Sequence, residues 1–428
     1  MGGGRAGVAA PGGEGRGFLA SFRGLPRVAW LLIGAGSVFW VLVGLYSVSL
    51  PIYLKRAGYD ELFIGFVLTL TGLVAVLLVV PFGLLADRFG RKRMMMIGAV
   101  ANVASGAILA APIVVPTLSG HSALFLGFAV VAGFAEAAFF STWGALLADS
   151  APAARRTAVF GLSFFFSQLA GGAGNVLGSL ADYTFTASLA NLETAYGVAF
   201  GITAVIATLA LFLLRAARVH EELAPEGAPA FRLPKKSRGI IGKFLASNLI
   251  IGFGAGIVIP LFTLWFFLRF GLAETFTGPL LGVSAVVNAF AFLVAPAIAD
   301  RYGFVRTIVS VSGVATVLLV LIPVVPDLFV VGILFVVRNA LMNMTWPVST
   351  AFLMNTVDAS ERSAASAVTG AAFRLPFAVS TTIGGALLGI DLSLPFFITG
   401  VFYAIGVATF WAFFRNFQPV GAKATAPT

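Results

Sequence analysis

Twelve times the sequence runs for about 20 residues or more in almost unbroken apolar character, and that repetition leaves a chain few ways to fold. The runs lie at about 28–54, 62–86, 93–116, 122–148, 157–181 and 194–217, then at about 239–270, 276–299, 306–325, 327–355, 363–389 and 393–415. A helix crosses the hydrocarbon of a bilayer with about 20 apolar residues. Helices satisfy their own backbone hydrogen bonds there, which lipid cannot do for them. With 59% hydrophobic and 10% charged residues and a mean hydropathy of +1.00, the composition lies outside that of soluble globular domains. The sequence therefore predicts an all-α membrane protein with 12 transmembrane helices.

The net charge of +10 does not point to nucleic acid, because the Lys and Arg residues sit in short turns between apolar runs rather than on one basic face. Counted on this layout, 22 of the 27 fall on one side of the membrane and three (Lys55, Arg56, Arg269) on the other, with two inside runs. The positive-inside bias places the basic side in the cytoplasm. An even number of spans then puts both termini there, and the expected location is the plasma membrane. The expected organisation is a Gly-rich and Arg-bearing tail over 1–27, six spans over 28–217, a polar linker over 218–238, six more spans over 239–415 and a tail over 416–428. The first run is too long for the apolar core of a signal peptide. No cysteine is present, which excludes disulfides and thiolate chemistry, and the two histidines fall at run ends. No metal site or cofactor is expected.

The turn after the second run reads Gly83-Leu84-Leu85-Ala86-Asp87-Arg88-Phe89-Gly90-Arg91-Lys92-Arg93, and a partial copy, Ala299-Asp300-Arg301-Tyr302-Gly303-Phe304-Val305-Arg306, follows the eighth run. Asp87, Arg88, Gly90 and Arg93 correspond to Asp300, Arg301, Gly303 and Arg306 at constant spacing. Thr142-Trp143 near the end of run four is echoed by Thr345-Trp346 near the end of run ten, with Arg156 and Arg362 in the turns that follow. Two copies in register indicate a duplicated half.

The first turn resembles the loop signature between helices two and three of the major facilitator superfamily. The resemblance implies two pseudo-symmetric six-helix bundles that alternate access to a central cavity. It also implies a cytoplasmic gate. Gly83, Asp87, Arg88, Gly90 and Arg91 would belong to it, with Asp87 near the N-terminus of helix eleven and Arg91 reaching Asp149 at the end of helix four. Asp300 and Arg301 would form its counterpart, weakened by Phe304 and Val305. The alternative is that these charges only set topology. Gly161, Ala170, Gly171, Gly172, Gly174, Asn175 and Gly178 in run five loosely resemble the glycine-rich signature of the superfamily's drug and proton antiporters, although close helix packing accounts for them equally well.

Three charges lie well inside runs: Glu136 in run four, Arg338 in run ten and Arg374 in run eleven. A charge at mid-membrane costs about 2.5 to 3.5 kcal/mol on insertion scales and nearly always faces a partner or a cavity. Glu136 and Arg338 stand about 14 and 11 residues in from the same side, and the resemblance puts helices four and ten across the cavity from one another, so these two are expected to face each other. Glu136, the only acid in mid-span, is then the candidate proton carrier; a fixed structural ion pair is the other reading. Arg374 precedes Pro376 and either satisfies the carbonyl that proline frees or binds an anionic group.

Together these features imply a secondary transporter, acting as a monomer, that exports lipophilic or amphipathic small molecules in exchange for protons. Uptake of an organic anion is the alternative, motivated by two intramembrane arginines against one glutamate. A non-transporting sensor is the alternative of another class. No set of converging catalytic groups suggests an enzyme, and no phosphate-cradling loop is present.

Overall fold

The computed structural model describes residues 25–118, 121–152, 155–219, 236–358 and 361–416. The expected linker falls mostly within 220–235 and the expected tails within 1–24 and 417–428, all outside the described residues. Among the described residues twelve long helices form two bundles, the first of them α1 (Arg27–Arg56), α2 (Glu61–Phe89), α3 (Arg91–Ala110), α4 (Ser122–Asp149), α5 (Arg156–Thr186) and α6 (Leu192–Ala216). The second consists of α7 (Arg238–Phe270), α8 (Glu274–Tyr302), α9 (Phe304–Leu321), α10 (Leu328–Thr356), α11 (Arg362–Ile390) and α12 (Leu394–Phe414). Eleven of them are long and apolar enough to cross a membrane. The other, α5, is 31 residues long and diluted by Gln168, Asn175 and its glycines.

Local chemistry sets the helix ends. Asp60, Asn191 and Asp327 accept hydrogen bonds from the backbone N–H of Phe63 (2.7 Å), Thr194 (2.9 Å) and Val330 (2.8 Å), capping α2, α6 and α10. Gly90 and Gly303, at matching positions of the two repeated turns, both take positive φ (102° and 84°). A β-carbon is disfavoured in that conformation, which explains why this position is glycine in both copies. Within the span Arg238–Phe270, α7 tightens to a 3-10 turn at Ile259–Leu261, where Pro260 cannot donate to the helical ladder.

Core organisation differs between the two membrane faces. On the face bearing the Gly90 and Gly303 turns, termed here the basic face, the bundles have separate cores. Leu32, Phe39, Phe139 and Leu147 belong to the first; Phe244, Met344, Phe352 and Phe410 belong to the second. Toward the opposite face one continuous core includes Tyr53, Ile64, Phe125 and Phe200 from the first bundle and Phe262, Trp265, Phe335 and Phe396 from the second. The bundles are thus fused at the opposite face and parted at the basic face.

Small residues permit that fusion. A β-carbon on Gly278 of α8 would strike Ser179 Oγ and the Asn175 carbonyl of α5, and one on Gly385 of α11 would strike the Glu61 carbonyl of α2. Thr69 of α2 donates to the Ala378 carbonyl (2.8 Å) and accepts from Thr382 N–H (3.0 Å) on α11. In lipid, where burying apolar surface between helices gains little, such close backbone approach and interhelical hydrogen bonding carry association. The glycines of α5 serve the same purpose inside the first bundle, since Gly174 lies directly against the Val41 carbonyl of α1.

Candidate functional site

Among the described residues, one ion pair bridges the parted bundles halfway through the membrane. Glu136 lies on α4 and Arg374 on α11, and Arg374 Nη1 donates to Glu136 Oε1 at 3.5 Å. The guanidinium also lies 3.7 Å from the ring centroid of Phe140, one turn from Glu136 on the same face of α4. The side chains retain 29% and 40% exposure, so this contact borders the open cleft. At this depth either charge left alone is costly, so the two neutralise one another across the gap while each keeps one side open to the cleft.

The expected facing of Glu136 and Arg338 does not occur, and Glu136 has Arg374 as its partner. Arg338 shares a face of α10 with Val331 and Phe335, seven and three residues earlier, and both are packed in the core. That rotation turns Arg338 into the interior of its own bundle, where it is 1% exposed and Nη2 donates to Tyr403 Oη at 3.0 Å. The Phe262 and Tyr403 rings lie 6.0 and 5.6 Å from its guanidinium carbon. Its Nε has no hydrogen-bond partner. Arg338 also lines a cavity of about 350 Å³ within the second bundle. Residue depth was readable from the sequence; the direction each side chain takes around its helix was not.

At the basic face, Arg91 donates to Asp149 Oδ2 at 2.9 Å and to Asp87 Oδ1 at 3.1 Å. Lys92 donates to the Ala217 carbonyl at 2.7 Å, past the end of α6. These contacts pin the α2–α3 turn to α4 and α6 of the same bundle. Asp87 is half-exposed at 45%, Arg88 lies 5.4 Å over the Phe89 ring, and a β-carbon on Gly83 would meet open space. In the second copy Asp300 and Arg301 are exposed. Phe304, at the place of Arg91, packs on Phe352 of α10 with ring centroids 6.4 Å apart, so an apolar contact replaces the ionic one.

Sequence reasoning missed the polar cluster at the opposite face. Asp182 of α5, 1% exposed, accepts from Arg56 Nη2 (2.7 Å), from the Thr275 backbone N–H (3.0 Å) and from Thr275 Oγ1 (2.5 Å). Glu274, at the start of α8 and wholly buried, accepts a short hydrogen bond from Tyr196 Oη and lies 3.8 Å from Arg56 Nη1. Ser179 donates to the Glu274 carbonyl at 2.7 Å. The cluster ties α1, α5 and α6 of one bundle to α8 of the other. Its only sequence signal was Arg56, one of three cations off the basic side, together with two acids at run ends.

Comparison with known proteins fits this architecture. Part of the chain is similar to the inner membrane transport protein YajR of Escherichia coli (strain K12), 36% identical over 90 residues, 20% of this chain and 19% of YajR, so the match spans about a fifth of that relative's length. The fold is similar to the crystal structure of the nucleoside transporter NupG, with a TM-score of 0.73 at 13% identity over 91% of this chain and 100% of NupG. It is similar also to that of a D-xylose-proton symporter, with a TM-score of 0.69 at 17% identity over 93% and 98% of the two chains. The sequence profile of the Major Facilitator Superfamily matches residues 32–339 and, in a second overlapping match, 244–428. With both halves matched and two six-helix bundles closed around one central cleft, the chain belongs to the Major Facilitator Superfamily.

Proposed function

We propose that the chain, beyond the alternating-access secondary transport that superfamily membership brings, exports amphipathic small molecules in exchange for protons across the plasma membrane. The Glu136–Arg374 pair is the coupling element. The observation that carries this reading is an acid and a base from different bundles meeting at mid-depth, each still partly open to the cleft, where a charge must have a partner. Protonation of Glu136 discharges the acid and frees Arg374, so the two bundles lose one of the links that joins them in mid-membrane. Proton loading and bundle movement are thereby linked in one event.

The basic face is taken as cytoplasmic, with both termini on that side, because it carries most of the cations. The conformation described above is then open to the cytoplasm and sealed outside by the Arg56, Asp182 and Glu274 cluster. In the reverse conformation Asp87, Arg88, Asp300 and Arg301 of the two turns meet the facing bundle. Their exposure here is what a released gate requires.

The test is transport in proteoliposomes under an imposed pH gradient, comparing the wild type with Glu136→Gln. Gradient-driven flux is expected to fall to the level of passive leak while counterflow of labelled substrate persists. Undiminished gradient-driven flux would remove Glu136 from the coupling mechanism.

A further inference from the structure

Arg338 is the only Lys or Arg side chain buried below a tenth exposure among the described residues, and no Asp or Glu is paired with it. Arginine keeps its charge in any protein environment, so its counter-charge must come from somewhere. Its one hydrogen bond goes to the neutral Tyr403 hydroxyl at 3.0 Å, and its Nε has no partner. The cavity it lines holds about 350 Å³, and all of its walls come from α7, α9, α10, α11 and α12. No acidic residue is among those walls.

The shape of this cavity follows from the depth of its lining residues. Phe244, Leu353 and Phe410 lie near the basic-face ends of their helices, whereas Ile259, Arg338 and Tyr403 lie deep. Phe244, Leu353 and Phe410 are buried and close its basic-face end, whereas Trp346, Thr350 and Ser366 are exposed, so the cavity opens between α10 and α11 and runs inward toward the guanidinium. Between the two levels stand amides from Asn248, Asn339 and Asn343 and rings from Trp346, Phe373 and Phe377. Pockets of about 300 to 1,000 Å³ with mainly apolar walls and a few fixed polar groups are the usual size and lining for small-molecule sites.

We propose that this cleft is the substrate seat and that its ligand is an organic monocarboxylate with an aromatic or aliphatic body. Arg338 is 1% exposed and its Nε is buried, so the carboxylate pairs with the guanidinium by displacing the Tyr403 hydroxyl from Nη2. The body lies along the rings toward the basic face. The geometry also separates two roles on one helix: Phe373 faces the seat while Arg374, its neighbour, reaches Glu136 in the other bundle. Substrate charge and proton charge are thus handled on adjacent faces of α11. The proposal rests on the reading of the central cleft as the transport route, but it names a ligand class and a site that proton coupling alone does not require.

The test measures thermal stabilisation and equilibrium binding of purified protein with aryl and alkyl monocarboxylates, their primary amides, matched ammonium compounds, and chloride or phosphate alone. Carboxylates are expected to bind, with amides and ammonium compounds about tenfold weaker or worse, as loss of a charge-assisted pair implies. Arg338→Gln should lose this preference. If that variant does not fold, Asn343→Trp, which fills the cleft, should abolish carboxylate binding in a folded protein. Equal binding of amides and carboxylates would overturn the proposal, as would unchanged carboxylate affinity in either variant. Equal stabilisation by chloride or phosphate alone would overturn the organic class. The two readings fail separately: loss of the carboxylate preference overturns the seat, whereas undiminished gradient-driven flux in Glu136→Gln overturns only the coupling role.

Discussion

Replacing Thr275 by Val isolates the energy that holds the opposite face shut. Thr275 sits one residue into α8, and its hydroxyl donates to Asp182 Oδ2 at 2.5 Å across the bundle interface. Valine keeps the shape and the backbone N–H, which donates to the same oxygen at 3.0 Å, and removes only the hydroxyl. Arg56 and Asp182 both belong to the first bundle, so their 2.7 Å ion pair survives separation of the bundles and cancels from the comparison. A hydrogen bond to a charged group contributes about 1.5 to 3 kcal/mol net. Once the face opens, the threonine hydroxyl is hydrated and the valine loses nothing more there. The closed conformation should therefore lose about 1.5 to 3 kcal/mol relative to the open one, a shift of about tenfold to a hundredfold in their ratio. The chain has no cysteine, so cysteines placed at Leu189 and Ile390, exposed on the two bundles at this face, carry spin labels without background. The distance distribution between them should gain a long component in Thr275→Val. An unchanged distribution would refute the reasoning. So would an equal further change when Thr275→Val is added to Asp182→Ala, since the hydroxyl would then be acting through some other group.

Gly278→Val should move the same label pair further, because its side chain would occupy the space of Ser179 Oγ and the Asn175 carbonyl; a wild-type distribution would show that α5 and α8 are not in this contact in the membrane. Gly83→Leu should leave the thermal midpoint unchanged, since nothing lies within 4 Å of that site, yet it should stop turnover if the basic face closes on α2 during the cycle. Substrate flux at the wild-type rate would remove Gly83 from the gate. Gly90→Ala forces a side chain to φ 102° and should cost about 1 to 3 kcal/mol, read as a lower midpoint in thermal unfolding. Arg91→Gln removes bonds to Asp87 and Asp149 that are partly exposed, so it should cost no more than about 1 kcal/mol of stability. A large fall in flux at nearly unchanged stability would assign that pair to the cycle, and a flux loss no greater than the stability loss would assign it to packing.

The sequence announced the number of helices and their ends because both are set by features readable one residue at a time. The apolar run at about 62–86 became Glu61–Phe89, capped by Asp60 and stopped at Gly90, and the repeated turn identified the duplication through a glycine that the backbone demands. Orientation around each helix was not legible. A soluble helix marks its inner face by apolarity, but a membrane helix is apolar toward lipid and toward its neighbours alike. The sequence puts Arg338 and Glu136 at similar depth, yet only the packing of Val331 and Phe335 fixes where Arg338 points. The cluster of Arg56, Asp182 and Glu274 escaped notice for a related reason: charges at the ends of apolar runs read as solvated headgroup-level residues until a second bundle is seen to bury them.

Fusion at one face and parting at the other place the energetic burden of the cycle unevenly. The opposite face is sealed by buried charges, a shared aromatic core and glycine contacts, whereas the basic-face contacts described here lie within single bundles. Opening the sealed face must therefore be driven, and the contact available to drive it is the half-exposed pair at mid-depth, which neither face holds rigidly. Because α11 carries both Arg374 and the wall of the Arg338 cleft, the proposed ligand and the proposed proton on Glu136 would both act on this helix, from adjacent faces. Since α11 also packs against α2 through Thr69, Thr382 and Gly385 at the sealed face, it is the element through which occupancy of the centre can loosen the seal. Thr69→Val removes the hydroxyl bonds to Ala378 and Thr382 and so loosens that connection without touching either charged site. It should weaken the coupling between ligand binding and the Leu189–Ile390 distance while leaving ligand affinity in the closed conformation unchanged. Full coupling in that variant would mean that the signal travels through α5 and α8 instead.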